Sequence, residues 1–153
     1  MRINKNGFTM LELLAVIIIL GILISLAYTS ISKYLNQAIS ATYEDFEKNI
    51  TSGVTNYLID HTGSIPDEGE SLVVDVEKLV CEGYVEDLQD PRESSKTCNL
   101  DSYAIVKRNA NTGYNMDIDY EACLVCAGYK SPACSNSIDG IKRLKADSTC
   151  EVD

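Results

Sequence analysis

From Met10 to Tyr28 the chain runs for 19 residues in which Glu12, Gly21 and Ser25 alone interrupt an apolar composition. As a helix rising 1.5 Å per residue, that run is just under ~30 Å long, about the hydrocarbon thickness of a bilayer. A carboxyl group inside such a segment costs roughly 2.5–3.5 kcal/mol on insertion scales, so it marks a functional position. Glu12 is therefore the residue to explain. Arg2 and Lys5 are the only charges before the run, and the positive-inside bias puts the amino terminus in the cytoplasm and everything after Tyr28 outside. A cleaved secretory signal would share the basic start, and Ser25-Leu26-Ala27 offers it a small-x-small site. Its apolar region is only about 7–15 residues long, however, and has no use for a glutamate. An unprocessed anchor explains the length but not Glu12.

The segment Gly7-Phe8-Thr9-Met10-Leu11-Glu12-Leu13-Leu14-Ala15-Val16-Ile17-Ile18-Ile19-Leu20-Gly21-Ile22-Leu23 resembles the class III leader and membrane helix of type IV pilins and pseudopilins. The resemblance is dense over about the first 30 residues and fades after them. It implies that a membrane prepilin peptidase cuts between Gly7 and Phe8 on the cytoplasmic face and methylates the new amine of Phe8. Glu12 becomes the fifth residue of the mature chain. When subunits stack, the Phe8 amine of one meets Glu12 of a neighbour, supplying a partner that one isolated chain lacks. Breaking such a buried pair costs on the order of 3–5 kcal/mol, enough to bias assembly register. Leu11, Leu14, Ile18 and Leu23 are expected to pack with Phe8 in the filament core. Many major pilins carry a proline near the position of Thr29; this chain has none there, which tilts the resemblance toward a minor pilin or a pseudopilin. The implied partners are the peptidase, other pilin subunits in a homo- or hetero-polymer, and an assembly platform in the inner membrane.

Helical periodicity continues beyond the membrane. Leu35, Ala38/Ile39, Thr42, Phe46, Ile50, Val54 and Tyr57/Leu58 recur every three to four residues, with Lys33, Glu44, Asp45, Glu47 and Lys48 mostly between them. No proline interrupts residues 9 to 65, and Gly63 is a plausible stop. These features predict one helix of about 50 residues, transmembrane in its first half and amphipathic in its second. The divisions expected are a cleaved leader (1–7), a membrane and filament-core helix (8–28), an amphipathic stalk (29–62) and an extracytoplasmic head (63–153). Asp75 to Gly83 reads as a short helix with an aspartate N-cap and a glycine stop, and Asp90-Pro91 as a turn. Ser102–Arg108 and Gly113–Leu124 read as two strands joined by a hairpin loop over 109–112. Tyr114, Met116, Ile118 and Tyr120 alternate with Asn115, Asp117, Asp119 and Glu121. The fold class is α+β: a long helix on a small antiparallel sheet, with a polar tail of no clear periodicity beyond Gly128.

All six cysteines (Cys81, Cys98, Cys123, Cys126, Cys134 and Cys150) fall outside the membrane on this topology. An even number in a small extracytoplasmic head favours disulfides. Fifteen connectivities are open; Cys134 or Cys126 with Cys150 would tie the tail to the sheet. Zinc is the competing reading, because Cys123-Leu-Val-Cys126 has the spacing of half a structural site. It lacks a second Cys-x-x-Cys, and the single histidine, His61, sits at the end of the long helix. Free thiols and a redox-active Cys-x-x-Cys are the remaining alternatives.

Without Arg2 and Lys5 the chain carries 11 basic against 23 acidic residues, a formal charge of −12. That excludes a general nucleic-acid binder; Lys142-Arg143 with Lys145 is the one small basic cluster, read first as solvated surface. Asp117, Asp119 and Glu121 would offer oxygens to calcium, a property of some pseudopilins, but no glycine-punctuated acidic loop frames them. Asn49-Ile50-Thr51 matches a glycosylation sequon within a helical stretch. No nucleophile elbow or phosphate loop is present, so neither an enzyme nor a resident cofactor or metal is expected. The function expected is a structural subunit of a type IV pilus-like filament. The alternatives are a pseudopilin of a type II secretion or competence DNA-uptake system, and a membrane-anchored protein that does not assemble.

Overall fold

The computed structural model describes residues 8–99, 101–110 and 117–147, and of Thr29 the backbone alone. Helix α1 spans Met10–Asp60, 51 residues without a proline, in agreement with the single long helix expected. The chain divides into two compact units, one up to Ser40 and one from Ala41 onward. In the first, the helix is exposed around its circumference, from Leu11 at 77% to Leu35 at 58%. A helix apolar on all sides can be stable only in lipid or among other helices, and this one is long and apolar enough to cross a membrane.

The second unit begins with the last third of α1. There Tyr43, Ile50, Val54, Tyr57 and Leu58 are buried, at successive spacings of seven, four, three and one, which form one stripe. The stripe is carried by Tyr43 where periodicity had suggested Thr42, which is only half-buried. After Asp60 the chain makes one 3-10 turn over Thr62–Ser64, so the helix stops before Gly63 is reached. Then follow β1 (Ser71–Asp75), α2 (Val76–Cys81), β2 (Tyr103–Arg108), β3 (Ile118–Cys123), a two-strand ribbon of β4 (Val125–Cys126) and β5 (Tyr129–Lys130), and β6 (Lys142–Leu144).

The sheet order is β3-β2-β1-β6. The β1–β2 and β2–β3 pairs are antiparallel and β1–β6 is parallel, so the sheet is mixed where an antiparallel one was expected. The cause lies in the segment read as a featureless tail. From β3, at one edge, the chain crosses the sheet to add β6 at the other, and strands that run the same way can be joined only by such a crossover. The crossing covers the second face: Val73, Tyr103, Ile105 and Cys123 form a buried cluster against which Val125, Cys134, Ile138 and Ile141 pack. Leu72, Val74, Ala104 and Val106, of opposite parity, are buried on the side of α1. Burial on both faces explains why β1 reads as Leu-Val-Val with no alternation to signal a strand.

Helix α2 occupies the predicted position. Gly83 ends it with φ +78, a conformation that suits glycine alone, and its N–H reaches the Val80 carbonyl at 3.0 Å. Asp75 sits at the N-cap, but its side chain does not cap; it accepts a 2.6 Å hydrogen bond from Arg143 Nε on β6. The β2–β3 hairpin forms as expected, closed by Asn109 N–H on the Asp117 carbonyl at 3.0 Å. Loop residues 111–112 and the expected strand residues 113–116 lie outside the described residues, and Asp117 precedes the strand, which begins at Ile118.

Candidate functional site

The start of α1 is built by two side chains three residues apart. Thr9 donates to Glu12 Oε2 twice, from its backbone N–H at 3.0 Å and from Oγ1 at 3.1 Å. The Glu12 N–H donates back to Thr9 Oγ1 at 3.2 Å. This is a reciprocal capping box, with Thr9 at the N-cap and Glu12 at the third helical position. The first helical bond, Leu13 N–H to the Thr9 carbonyl at 3.2 Å, confirms the register. Thr-x-x-Glu before an apolar run is the sequence signature of this cap, a signal distinct from any intersubunit role of Glu12. In this structure Glu12 has partners within its own chain, and those bonds leave the carboxylate exposed.

Phe8, immediately before the cap, is 83% exposed; Gly7 lies outside the described residues. Leu11, Leu14 and Ile18 fall at i, i+3 and i+7, on one face of the helix, while Leu23 lies about a third of a turn around from Leu11. All four are more than half exposed.

In the second unit, two disulfides hold the crossover in place. Cys123 in β3 is bonded to Cys134, and Cys98 to Cys126 in β4. Cys81 is disulfide-bonded as well, and Cys150 lies outside the described residues. Beside the Cys98–Cys126 bridge sits Asp90, 1% exposed. Its carboxylate accepts from Tyr43 Oη at 3.1 Å, from the Arg92 N–H at 2.8 Å and from the Ala127 N–H at 2.8 Å. Burial raises the pKa of this group, and the Arg92 N–H, Tyr43 hydroxyl and Ala127 N–H outweigh that and hold it below the usual carboxylate value. Tyr129 of β5 stacks on Tyr43 at 4.1 Å and donates to Glu47 at 2.8 Å. One buried carboxylate thus ties α1, the 88–98 loop and the β4–β5 ribbon together.

One comparison with known proteins falls on the first of these regions. A family model described as the prokaryotic N-terminal methylation motif matches residues 2–28. A curated relative, the ComG operon protein 3 homolog of Bacillus licheniformis, is 30% identical over 83 residues, which is 54% of this chain and 76% of the relative. The chain belongs to the type IV pilin and pseudopilin family. No solved structure matches it. The pilin-like architecture, a long N-terminal helix packed on a small mixed sheet, agrees with that membership.

For a pilin-type subunit, the remaining sequence candidates sort as follows. Neither Cys126 nor Cys134 takes the pairing with Cys150 that would have closed the tail; each bonds a cysteine nearer in the fold. The zinc half-site is likewise overturned. Three residues apart on extended chain, Cys123 and Cys126 point to opposite sides and enter separate bridges. The grouping of Asp90, Cys98 and Cys126 has both sulfurs committed to a disulfide. Asp117 and Asp119 share the Asn109 amide as donor, and Glu121 is held by Lys107 at 2.7 Å and by Asn136. They do not form a convergent oxygen set. His61 stacks on Tyr57 at 4.4 Å and ends the helix through a 3.0 Å contact between Nδ1 and the Tyr57 carbonyl. Of the basic cluster, Arg143 serves the fold through Asp75 and lies over the Tyr103 ring at 5.6 Å, while Lys142 and Lys145 are exposed.

Proposed function

We propose that this subunit is inserted with its head outside the cytoplasmic membrane, cut between Gly7 and Phe8 by a prepilin peptidase and methylated on Phe8. It then enters a pilus-like filament through α1. In the filament the Phe8 amine of one subunit pairs with Glu12 of another, and Leu11, Leu14, Ile18 and Leu23 pack in the core. The observation that carries the reading is the exposed apolar helix from Met10 to Tyr28, opening on Phe8 and a carboxylate within the methylation motif. An apolar helix leaving lipid needs other such helices around it.

Similarity to a ComG operon protein favours the pseudopilin version of this reading, a subunit of a competence DNA-uptake filament. Deleting the coding sequence and measuring transformation separates it from a pilus of other use. Intact-mass analysis of sheared surface filaments tests the reading itself: the expected species starts at methylated Phe8. Protein found only in membranes with residues 1–7 attached would mean an anchored protein without an assembly role. Glu12→Gln and Glu12→Leu divide the two roles of the side chain. Glutamine keeps the capping-box acceptor but not the charge, so both variants are expected to be missing from sheared filaments while the proteins remain in the membrane. Normal assembly of Glu12→Gln would remove the charge pair from the account.

A further inference from the structure

The two edges of the sheet carry opposite charge. At one edge β6 and the residue after it present Lys142 and Lys145, both exposed and neither in an ion pair among the described residues. Arg143 between them is already engaged by Asp75. At the other edge β3 and the residue before it present Asp119 and Asp117, both exposed and without a basic partner among the described residues. Alongside β3 an open trough of about 490 Å³ runs between its Ile118–Tyr120 stretch and Thr51 and Thr55 of α1. Through Thr51 and Tyr120 it continues into a second hollow of about 300 Å³ rimmed by Glu44, Glu47 and Lys48, whose ammonium is paired with Asp45 at 3.2 Å. The acidic edge thus borders a groove, and the basic edge is a short projecting strand.

Resting on the filament reading, we propose that these edges are the head-to-head joint of the polymer: Lys142 and Lys145 of one copy dock at the Glu44–Asp119 groove of the next. A two-fold axis through either edge alone would set basic on basic or acidic on acidic, whereas a basic edge set on an acidic one is a heterologous contact that leaves one surface of each kind free. Translation with rotation sets basic on acidic at every joint, and a contact of that heterologous type that does not close on itself generates an open helical polymer. The acidity of the heads favours the arrangement. Residues 63–153 hold 18 acidic and 9 basic side chains, a formal charge of −9, so close-packed heads repel unless their few free cations face neighbouring carboxylates. Exposed pairs are individually weak and screened by salt; their effect comes from repetition along the filament.

The test is carbodiimide cross-linking of sheared wild-type filaments, followed by reduction, proteolysis and mass spectrometry. Two strands separate β3 from β6, a span of about 14 Å at ~4.8 Å per strand, so a zero-length link between the edges can form only between copies. The expected result is a link from Lys142 or Lys145 to Asp117, Asp119 or Glu44. Lys142→Glu with Lys145→Glu should reduce filament protein at least five-fold at unchanged cellular level, and adding Asp119→Lys with Glu44→Lys should restore it. Wild-type filaments whose Lys142 and Lys145 link only to other carboxylates would overturn the joint, as would the double lysine variant assembling like wild type. A wild-type strain that sheds no filaments fails the polymer reading itself, and that outcome is seen before any variant is made.

Discussion

Replacing Gly53 by alanine sets helix propensity against packing, and the two predict opposite signs. Gly53 lies mid-helix in α1, where alanine is better by about 1 kcal/mol in an unobstructed helix. Here a Cβ would stand 2.3 Å from Val85 Cγ2 and 3.0 Å from the Tyr84 carbonyl oxygen. The valine methyl could rotate away, but the carbonyl is backbone. That backbone is held where it is, because the Tyr84 and Val85 N–H groups both bond the Leu79 carbonyl, at 2.8 and 3.2 Å. Overpacking costs about 1–3 kcal/mol, and an obstacle of fixed backbone belongs at the upper end. Subtracting the propensity gain leaves a net destabilisation of roughly 1–2 kcal/mol, or ~4–8 °C in Tm for a unit of this size. The assay is thermal unfolding of the full chain in detergent micelles, followed by near-ultraviolet circular dichroism of the tyrosines. Gly63→Ala is the control, since its Cβ would meet nothing within 4 Å. A Gly53→Ala protein as stable as wild type, or more so, would refute the claim that α1 is pressed against the 84–85 segment.

Three further outcomes follow from the head. Asp90→Asn leaves one of the bound N–H groups or the Tyr43 hydroxyl facing an amide donor, at a cost of about 1–3 kcal/mol. Because the folded pKa of Asp90 is depressed, its ionised contribution is present above the unfolded value and is lost as pH falls through the folded one. The stability gap between wild type and Asp90→Asn should therefore be constant near neutrality and narrow below pH ~4; a gap that does not change with pH contradicts the network. Tyr129 is pushed up to about 12 by burial and by its bond to Glu47, so the stability it contributes is complete below pH ~10 and is lost as pH rises toward the folded value. Absorbance titration at alkaline pH should show a late tyrosine that disappears in Tyr129→Phe, and an unchanged titration would count against the half-buried, Glu47-bonded phenol. Replacing Cys123 and Cys134 by serine removes a bridge spanning 11 residues, worth roughly 3 kcal/mol by loop closure; dye binding should report the uncovered Val73–Tyr103–Ile105 face, and absence of binding would mean the crossover stays down without its bridge.

The long helix was legible because its signal is redundant. Apolar composition, period and the lack of proline all agree from Met10 to Asp60. The β2–β3 hairpin and α2 were legible through alternation and a glycine stop. What was lost has a common cause. Strand β1 is buried on both faces, so Leu72-Val73-Val74 shows no period, and β6, at Lys142-Arg143-Leu144, is three residues long. Neither has local information enough to announce a strand; each is specified by its partner. The crossover from β3 to β6 is polar because few of its side chains reach the sheet, and its placement depends on Cys123–Cys134 and Cys98–Cys126, pairings that spacing alone does not determine. At the N-terminus the signal is local: Thr9-x-x-Glu12 spells a capping box whatever Glu12 does between subunits.

That local pattern changes what assembly can gain from Glu12. A carboxylate entering the membrane with no partner would make its first intersubunit ion pair a deep sink, by the several kcal/mol that an uncompensated buried charge costs. Glu12 instead already accepts from the amide and hydroxyl of Thr9. If it pairs with a Phe8 amine as proposed, the step exchanges two hydrogen bonds for a charge-assisted one, each worth about 1.5–3 kcal/mol to an ionised group. The difference between the two states is then a fraction of the full pair energy. Such a contact can select register without trapping a misplaced subunit, and the larger share of cohesion falls to the apolar face of α1, whose packing is less demanding of position. Thr9→Val, which keeps the branched shape and removes the hydroxyl, should accordingly slow the loss of subunits from sheared filaments relative to wild type; filaments that shed subunits at the same or a faster rate would show that Thr9 does not compete for Glu12.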